Sequence, residues 1–161
     1  MIVADPAALR TALPRNQRLL GLDLGEKTIG LALSDPMLSV ASPVSTIKRS
    51  KFTADANALL KLAAERGVGG LVIGLPLNMD GSEGPRCQST RQFASNLLKL
   101  KDFPILFWDE RMSTLAVERE MIAHDLSRAK RDKVVDQAAA AFILQGVLDR
   151  LQLLRNGRPA E

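Results

Sequence analysis

Residues 18–35, RLLGLDLGEKTIGLALSD, decide how this chain is read. Two apolar runs flank a short turn at Gly25, and each has the length and composition of a buried strand. Asp23 stands in the first run among Leu19, Leu20, Leu22 and Leu24, while Ile29, Leu31, Ala32 and Leu33 fill the second. An ionised carboxylate in so apolar a setting is costly unless hydrogen bonds or a cation satisfy it. Asp23 therefore either caps the Gly25 turn or holds a metal or a reacting group, and its partners must come from elsewhere in the chain.

Outward from this hairpin, PVSTIKR at 43–49 offers a third strand, and residues 54–66 show helical periodicity that Gly67 ends. GGLVIGLP at 69–76 reads as a buried parallel strand. The polar stretch NMDGSEGPRCQST at 78–90 follows, with Pro85 suited to the first turn of a helix. PILFW at 104–108 is the next buried strand and runs into Asp109-Glu110-Arg111. Ser113 or Thr114 then caps a helix to about His124, and a last helix covers roughly 132–154. The order βββαβαβαα predicts one α/β domain over 18–154, with a mixed five-stranded sheet, three antiparallel strands then two parallel, flanked by helices. Residues 1–17 form an extension in which Asp5-Pro6 opens a short peripheral helix, and 155–161 a tail.

At 161 residues the chain suits one domain, and 46% apolar with 25% charged residues is an ordinary globular balance. The net charge of +4 is compatible with a nucleic-acid partner without requiring one. A single cysteine, Cys87, leaves no disulfide framework and fits a reducing cytoplasm. No run has the length of a membrane span, and residues 1–14 lack the basic and apolar regions of a signal peptide. Aromatic residues make up only 4%, which argues against a binder of single strands built on base stacking.

In open α/β sheets, ligands gather at the carboxyl ends of the parallel strands. Asp23 and Glu110 both belong there. On the last helix, residues 136, 140, 143, 147 and 151 share one face, so Asp136 heads the stripe that packs on the sheet. A helix N-terminus near Asp136 lowers the cost of its charge by about 0.3–1 kcal/mol, and dipole pairing alone is the competing account of it. Three carboxylates in one corner repel one another unless cations lie between them. Hard ions such as Mg²⁺ or Mn²⁺ take such oxygen ligands, whereas zinc would recruit His or Cys, of which the chain has one each. Carboxylate-held metals at an anionic substrate suggest phosphodiester hydrolysis.

LLGLDLGEKTIGLALSD, VIGLPLNMDGSEGP, WDERMST and KVVDQAAAAFIL, in that order, closely resemble the YqgF/RuvX family, and the match spans residues 18 to about 150. The resemblance implies an RNase H-like fold similar to Holliday junction resolvases and a nuclease acting on pre-16S rRNA in the cytoplasm. It makes Asp23, Glu110 and Asp136 the catalytic and metal-holding residues, and marks the loop at 76–86 as substrate-facing. Ala139 stands where some resolvases have a fourth carboxylate, so the sequence looks like a three-carboxylate variant.

Around this trio the candidate substrate contacts are Lys27, Asn78, Arg86, Arg111, Arg128, Lys130, Arg131 and Lys133. Each has a plainer reading. Lys27 and Thr28 suit a hairpin turn, which is the better account of Thr28; Asn78 and Ser82 form turns; Arg86 is solvated; Arg111 pairs with Asp109; the basic cluster 128–133 is a solvated link; and KRSK at 48–51 is a solvated strand end. His124 reads as a surface residue, Trp108 as a strand-end packing residue and Cys87 as inert. Three rivals accompany the rRNA nuclease: a resolvase of branched DNA, which needs a symmetric dimer; a non-catalytic nucleic-acid-binding protein; and an actin-like ATPase, for which the chain lacks a second phosphate-loop domain. Nucleic acid is the expected partner, with no membrane and a monomer or homodimer as the assembly.

Overall fold

The computed structural model describes the backbone of residues 1–112 and 128–155, and the side chains of 1–111 and 136–155. The helix expected from Ser113 or Thr114 to His124 falls outside these residues.

Six strands form one sheet: β1 (Ile2–Val3), β2 (Arg18–Leu24), β3 (Thr28–Ser34), β4 (Ala41–Lys48), β5 (Val68–Leu75) and β6 (Ile105–Asp109). Their order is β1-β6-β5-β2-β3-β4. β2, β3 and β4 are antiparallel neighbours, whereas β5 and β6 run parallel to β2 on its other side. The expected five strands are all present, and the sixth, β1, is an addition. Its two residues are too few to show a period in sequence. They become a strand because β6 lends them a parallel edge, with the Ile105 N–H donating to the Met1 carbonyl at 2.8 Å.

Helix α1 (Pro6–Ala12) starts as expected at Asp5, whose carboxylate accepts the Ala8 N–H at 2.8 Å. It is less peripheral than expected, since Leu9 is fully buried. Helix α2 (Phe52–Arg66) ends at Gly67 in the left-handed region, φ 67°, where its N–H reaches the Ala63 carbonyl. Helix α3 (Pro85–Leu98) follows the polar loop, and α4 (Arg128–Arg155) closes the described chain.

The sheet separates two cores. Alternate residues of the central strands, Leu20, Leu22, Leu31, Leu71 and Ile73, pack beneath α2 and α3 with Leu59, Phe93 and Leu97. The opposite set, Leu19, Ala32, Val72 and Leu106, packs against Ala140, Ile143, Leu144, Val147 and Leu151 of α4, and Leu9 joins them from α1. This is the stripe that three- and four-residue spacing predicts for the last helix. Burial on both faces explains why β2 and β3 read as nearly unbroken apolar runs. Among the described residues no helix is long and apolar enough to cross a membrane.

Because Leu9 fills the α4-side core, Leu9→Ala is expected to destabilise the protein by about 2–5 kcal/mol, measured by urea unfolding. A change within error would place residues 1–12 outside the cooperative unit.

Candidate active site

Asp23 is the penultimate residue of β2 and is only 5% exposed. Its two neighbours across the sheet are both glycines. Gly30 of β3 is its registered antiparallel partner, and Gly74 of β5 lies one residue beyond the Leu22–Ile73 parallel pair. Both vacancies are filled. A Cβ on Gly30 would come within 2.0 Å of the Asp136 carbonyl oxygen, so the backbone of α4 rests directly on β3 there. A Cβ on Gly74 would meet Ile143 Cδ1 of α4 at 2.5 Å first, then Glu110 Oε1 at 2.7 Å and its Cγ at 3.0 Å. Gly21, two residues before Asp23 and hence on the same face, would meet Leu144 Cβ at 2.8 Å and the Ala140 carbonyl at 2.9 Å. Asp23 therefore faces the α4 side, with Asp136 arriving over one bare strand position and Glu110 over the other. Sequence reading groups these three; the structure places the Asp136 backbone over Gly30 and Glu110 beside Gly74, the positions that flank Asp23. Sequence reading misses the two glycines, although a glycine inside a strand is the signal of a close backbone approach.

Each carboxylate reaches the corner by a different route. β2 carries Asp23, while β6 ends at Asp109 and a single 3-10 turn, Glu110–Met112, swings Glu110 back over β5. Asp136 comes from α4, where the Thr28 hydroxyl donates to its Oδ2. Thr28 is thus more than a turn residue: the start of β3 orients a carboxylate 108 positions away. The next residue, Gln137, donates from Nε2 to Thr46 Oγ1 of β4 at 3.1 Å, fixing the rotation of the helix.

One expectation is corrected. The described helix is already formed at Arg128 rather than near 132, so Asp136 lies at least about two turns inside it. The dipole effect fades within the first turn and does not account for a carboxylate there. For the same reason the backbone of Arg128, Lys130, Arg131 and Lys133 is helical rather than a link; their side chains lie outside the described set.

Beside the corner, residues 76–84 form an ordered loop. The Asn78 N–H donates to the Ser82 carbonyl and the Gly81 N–H, at φ 90°, to the Asn78 carbonyl, both at 2.9 Å. Asn78 Nδ2 reaches Ser82 Oγ at 3.0 Å, and Asp80 accepts the Ser82 N–H at 2.9 Å. Arg111 locks this loop to the strand end. Its Nε and Nη2 grip the Asp109 carboxylate at 3.1 and 2.7 Å, and Nη1 donates to the Met79 carbonyl at 3.1 Å. Hydrogen bonding to Arg111 holds the Asp109 carboxyl below its ordinary value, against a smaller opposing effect of burial, and raises Arg111 in return. The plainer reading of Arg111, pairing with Asp109, is the one its geometry displays. Lys27 in the β2–β3 turn, Asn78 at the loop and Arg86 in the first turn of α3 are all exposed at this end of the sheet. Trp108 packs against α4, its Nε1 2.8 Å from where a Cβ on Gly146 would stand, and Cys87 is fully buried.

The corner offers oxygen donors only, which fits a hard divalent cation. Among the described residues no three His, Cys, Asp or Glu side chains stand together as a ready-made metal cage. An ion held here would take much of its shell from water and phosphate oxygens, which is the habit of Mg²⁺.

A family model described as RuvX, Holliday junction resolvase, matches residues 17–150. Two curated relatives named "Putative pre-16S rRNA nuclease" are similar over most of their length. The one from Paramagnetospirillum magneticum (strain ATCC 700264 / AMB-1) is 60% identical over 149 residues, 92% of this chain and 96% of the relative. The one from Rhodopseudomonas palustris (strain TIE-1) is 66% identical over 142 residues, 88% of this chain and 89% of the relative. Among solved structures, T. thermophilus RuvC in complex with a Holliday junction substrate superposes with a TM-score of 0.53 at 11% identity, covering 88% of this chain and 96% of that one. Fowlpox virus resolvase in complex with Holliday junction DNA gives 0.51 at 11% identity, covering 84% and 99%. These likenesses place the sheet and its helices in the RNase H-like fold.

Gly30→Ala is expected to cost more than the roughly 1–3 kcal/mol of an ordinary overpacked position, because backbone rather than a mobile side chain stands in the way. Chemical denaturation measures it, and wild-type stability would refute this seating of α4. The Asp109–Arg111 lock has a pH signature. With the folded Asp109 pKa below the ordinary 3.8, its contribution is complete above that value and fades as pH falls through the lower folded pKa. Limited proteolysis of the 76–84 loop should accelerate below about pH 4 in the wild type. Asp109→Asn should be cleaved readily at neutral pH, and a wild-type rate for that variant would remove the lock.

Proposed function

This chain belongs to the RuvX family, and we propose that it is a divalent-metal-dependent nuclease that hydrolyses phosphodiester bonds, with the 5′ end of pre-16S rRNA as its substrate in the cytoplasm. The observation that carries this reading is the approach of Glu110 and Asp136 to the two bare strand positions on either side of Asp23. A strand carboxylate this deeply buried is costly as a structural ornament and useful as a ligand. The rRNA assignment rests on the name shared by the curated relatives.

In this mechanism Asp23, Glu110 and Asp136 would hold Mg²⁺ or Mn²⁺, and the chemistry such an ion would supply is activation of water and stabilisation of the leaving oxygen's charge. The protein supplies the arrangement. Burial fixes Asp23, the Gly74 vacancy admits Glu110, and the Thr28 hydroxyl keeps one Asp136 oxygen turned toward β3. Lys27, Asn78 and Arg86, with Arg128, Lys130, Arg131 and Lys133 along the start of α4, draw the polyanionic backbone toward the corner. Arg111 acts as a positioning residue that holds the 76–84 loop at the edge of the site.

A second reading, cleavage of four-way DNA junctions, is favoured by the description of the matched family. It requires a symmetric homodimer, whereas rRNA trimming is open to a monomer.

The test pairs a precursor-rRNA fragment with a four-way junction, each with Mn²⁺ or Mg²⁺. RNA cleavage is expected, and Asp23→Asn, Glu110→Gln and Asp136→Asn should each lower its rate by at least about 10²-fold, the scale on which catalytic electrostatics act. Unchanged cleavage in all three variants would discard the carboxylate site. Symmetric nicking of the junction without RNA cleavage would replace the rRNA assignment by the resolvase.

A further inference from the structure

The basic run Lys48-Arg49-Ser50-Lys51 takes no part in the carboxylate corner, yet the sheet carries it to the same end. Lys48 is the registered partner of Thr28, and the Arg49 N–H donates to the Lys27 carbonyl at 2.8 Å, so β4 finishes beside the β2–β3 turn. There Arg49 and Arg86 meet across a cleft of about 430 Å³ lined also by Leu24, Gly25, Glu26 and Ser89. We propose that this cleft seats a backbone phosphate of the same nucleic-acid strand whose scissile bond lies at Asp23, an assignment that rests on the nuclease reading.

Arg49 is already held in place. Its Nη1 donates to the Gly25 carbonyl at 2.7 Å and its guanidinium lies over the Phe93 ring, 5.7 Å from the centroid. That order is achieved on folding, so Arg49, which lines the cleft, has little further entropy to lose on meeting an anion. Arg86 is exposed in the first turn of α3 and has no ion-pair partner among the described residues. Helix α3 starts at Gly84 without a side-chain cap, which adds the positive end of its dipole to the two guanidinium groups. Glu26 is the one carboxylate in the lining and leaves the cleft with a net positive charge.

Location makes the anion a strand phosphate. Asp23 faces α4, whereas Leu24, the next residue, faces the α2–α3 core and lines the cleft. Corner and cleft thus lie on the two sides of one strand end, reached from consecutive residues whose Cα atoms are about 3.8 Å apart. A nucleic-acid strand laid over the Gly25 turn meets both.

The experiment follows the anisotropy of a labelled single-stranded RNA bound to full-length Asp23→Asn protein over a salt titration. Adding Arg86→Ala is expected to weaken binding roughly three- to tenfold and to reduce the log–log salt slope by about 0.7, the share of one phosphate on a single strand. Arg86→Lys should keep the slope. An unchanged slope and affinity in Arg86→Ala would overturn the cleft, and metal-dependent cleavage by the wild type in the same preparation would show that the nuclease reading survives it. Wild-type protein that neither binds nor cleaves RNA would remove both.

Discussion

The site depends on one backbone-to-backbone approach, the seating of α4 on β3 at Gly30. A distance of 2.0 Å between a notional Gly30 Cβ and the Asp136 carbonyl leaves no room for any other residue. The same seating sets the depth of the apolar stripe below it, where Ala140, Ile143, Leu144 and Val147 are fully buried against β2, β3 and β5. The apolar face of the helix supplies the free energy that seats the Asp136 backbone on β3.

Glycine does two kinds of work in this sheet. At Gly67 and Gly81 it allows a positive φ that ends a helix and tightens the 76–84 loop. At Gly30 and Gly74 the backbone is ordinary and what matters is the absent side chain. Those vacancies let a central strand, covered on both faces, still present a carboxylate to neighbours arriving from a helix and from a loop.

Much of this was legible in the sequence because the signals were long. The hairpin at 18–35, the strands near 69–76 and 104–108 and the stripe of α4 emerge from runs and periods of seven residues or more, or from apolar stretches bounded by Pro and polar turns. Strand ends and a helical face single out Asp23, Glu110 and Asp136 as a candidate trio, and the family resemblance names the same three. Short signals failed. Two residues of β1 carry no period and take their conformation from β6. Thr28 looked like a hairpin residue because its partner lies 108 positions away. Asp136 was credited with a helix dipole because helix ends are the least certain feature of a periodic run, and an earlier start at Arg128 removed that account. Sequence alone shows Arg111 beside Asp109, and only geometry supplies its reach to the Met79 carbonyl.

The link between Thr28 and Asp136 also says something about time. The first carboxylate is made early in synthesis, and the last belongs to the terminal helix, so the corner is among the most non-local features of the chain. No partial fold lacking docked α4 contains all three acids. Docking of α4 is therefore the step that sets Asp136 beside Thr28, and that arrangement exists only in the assembled fold.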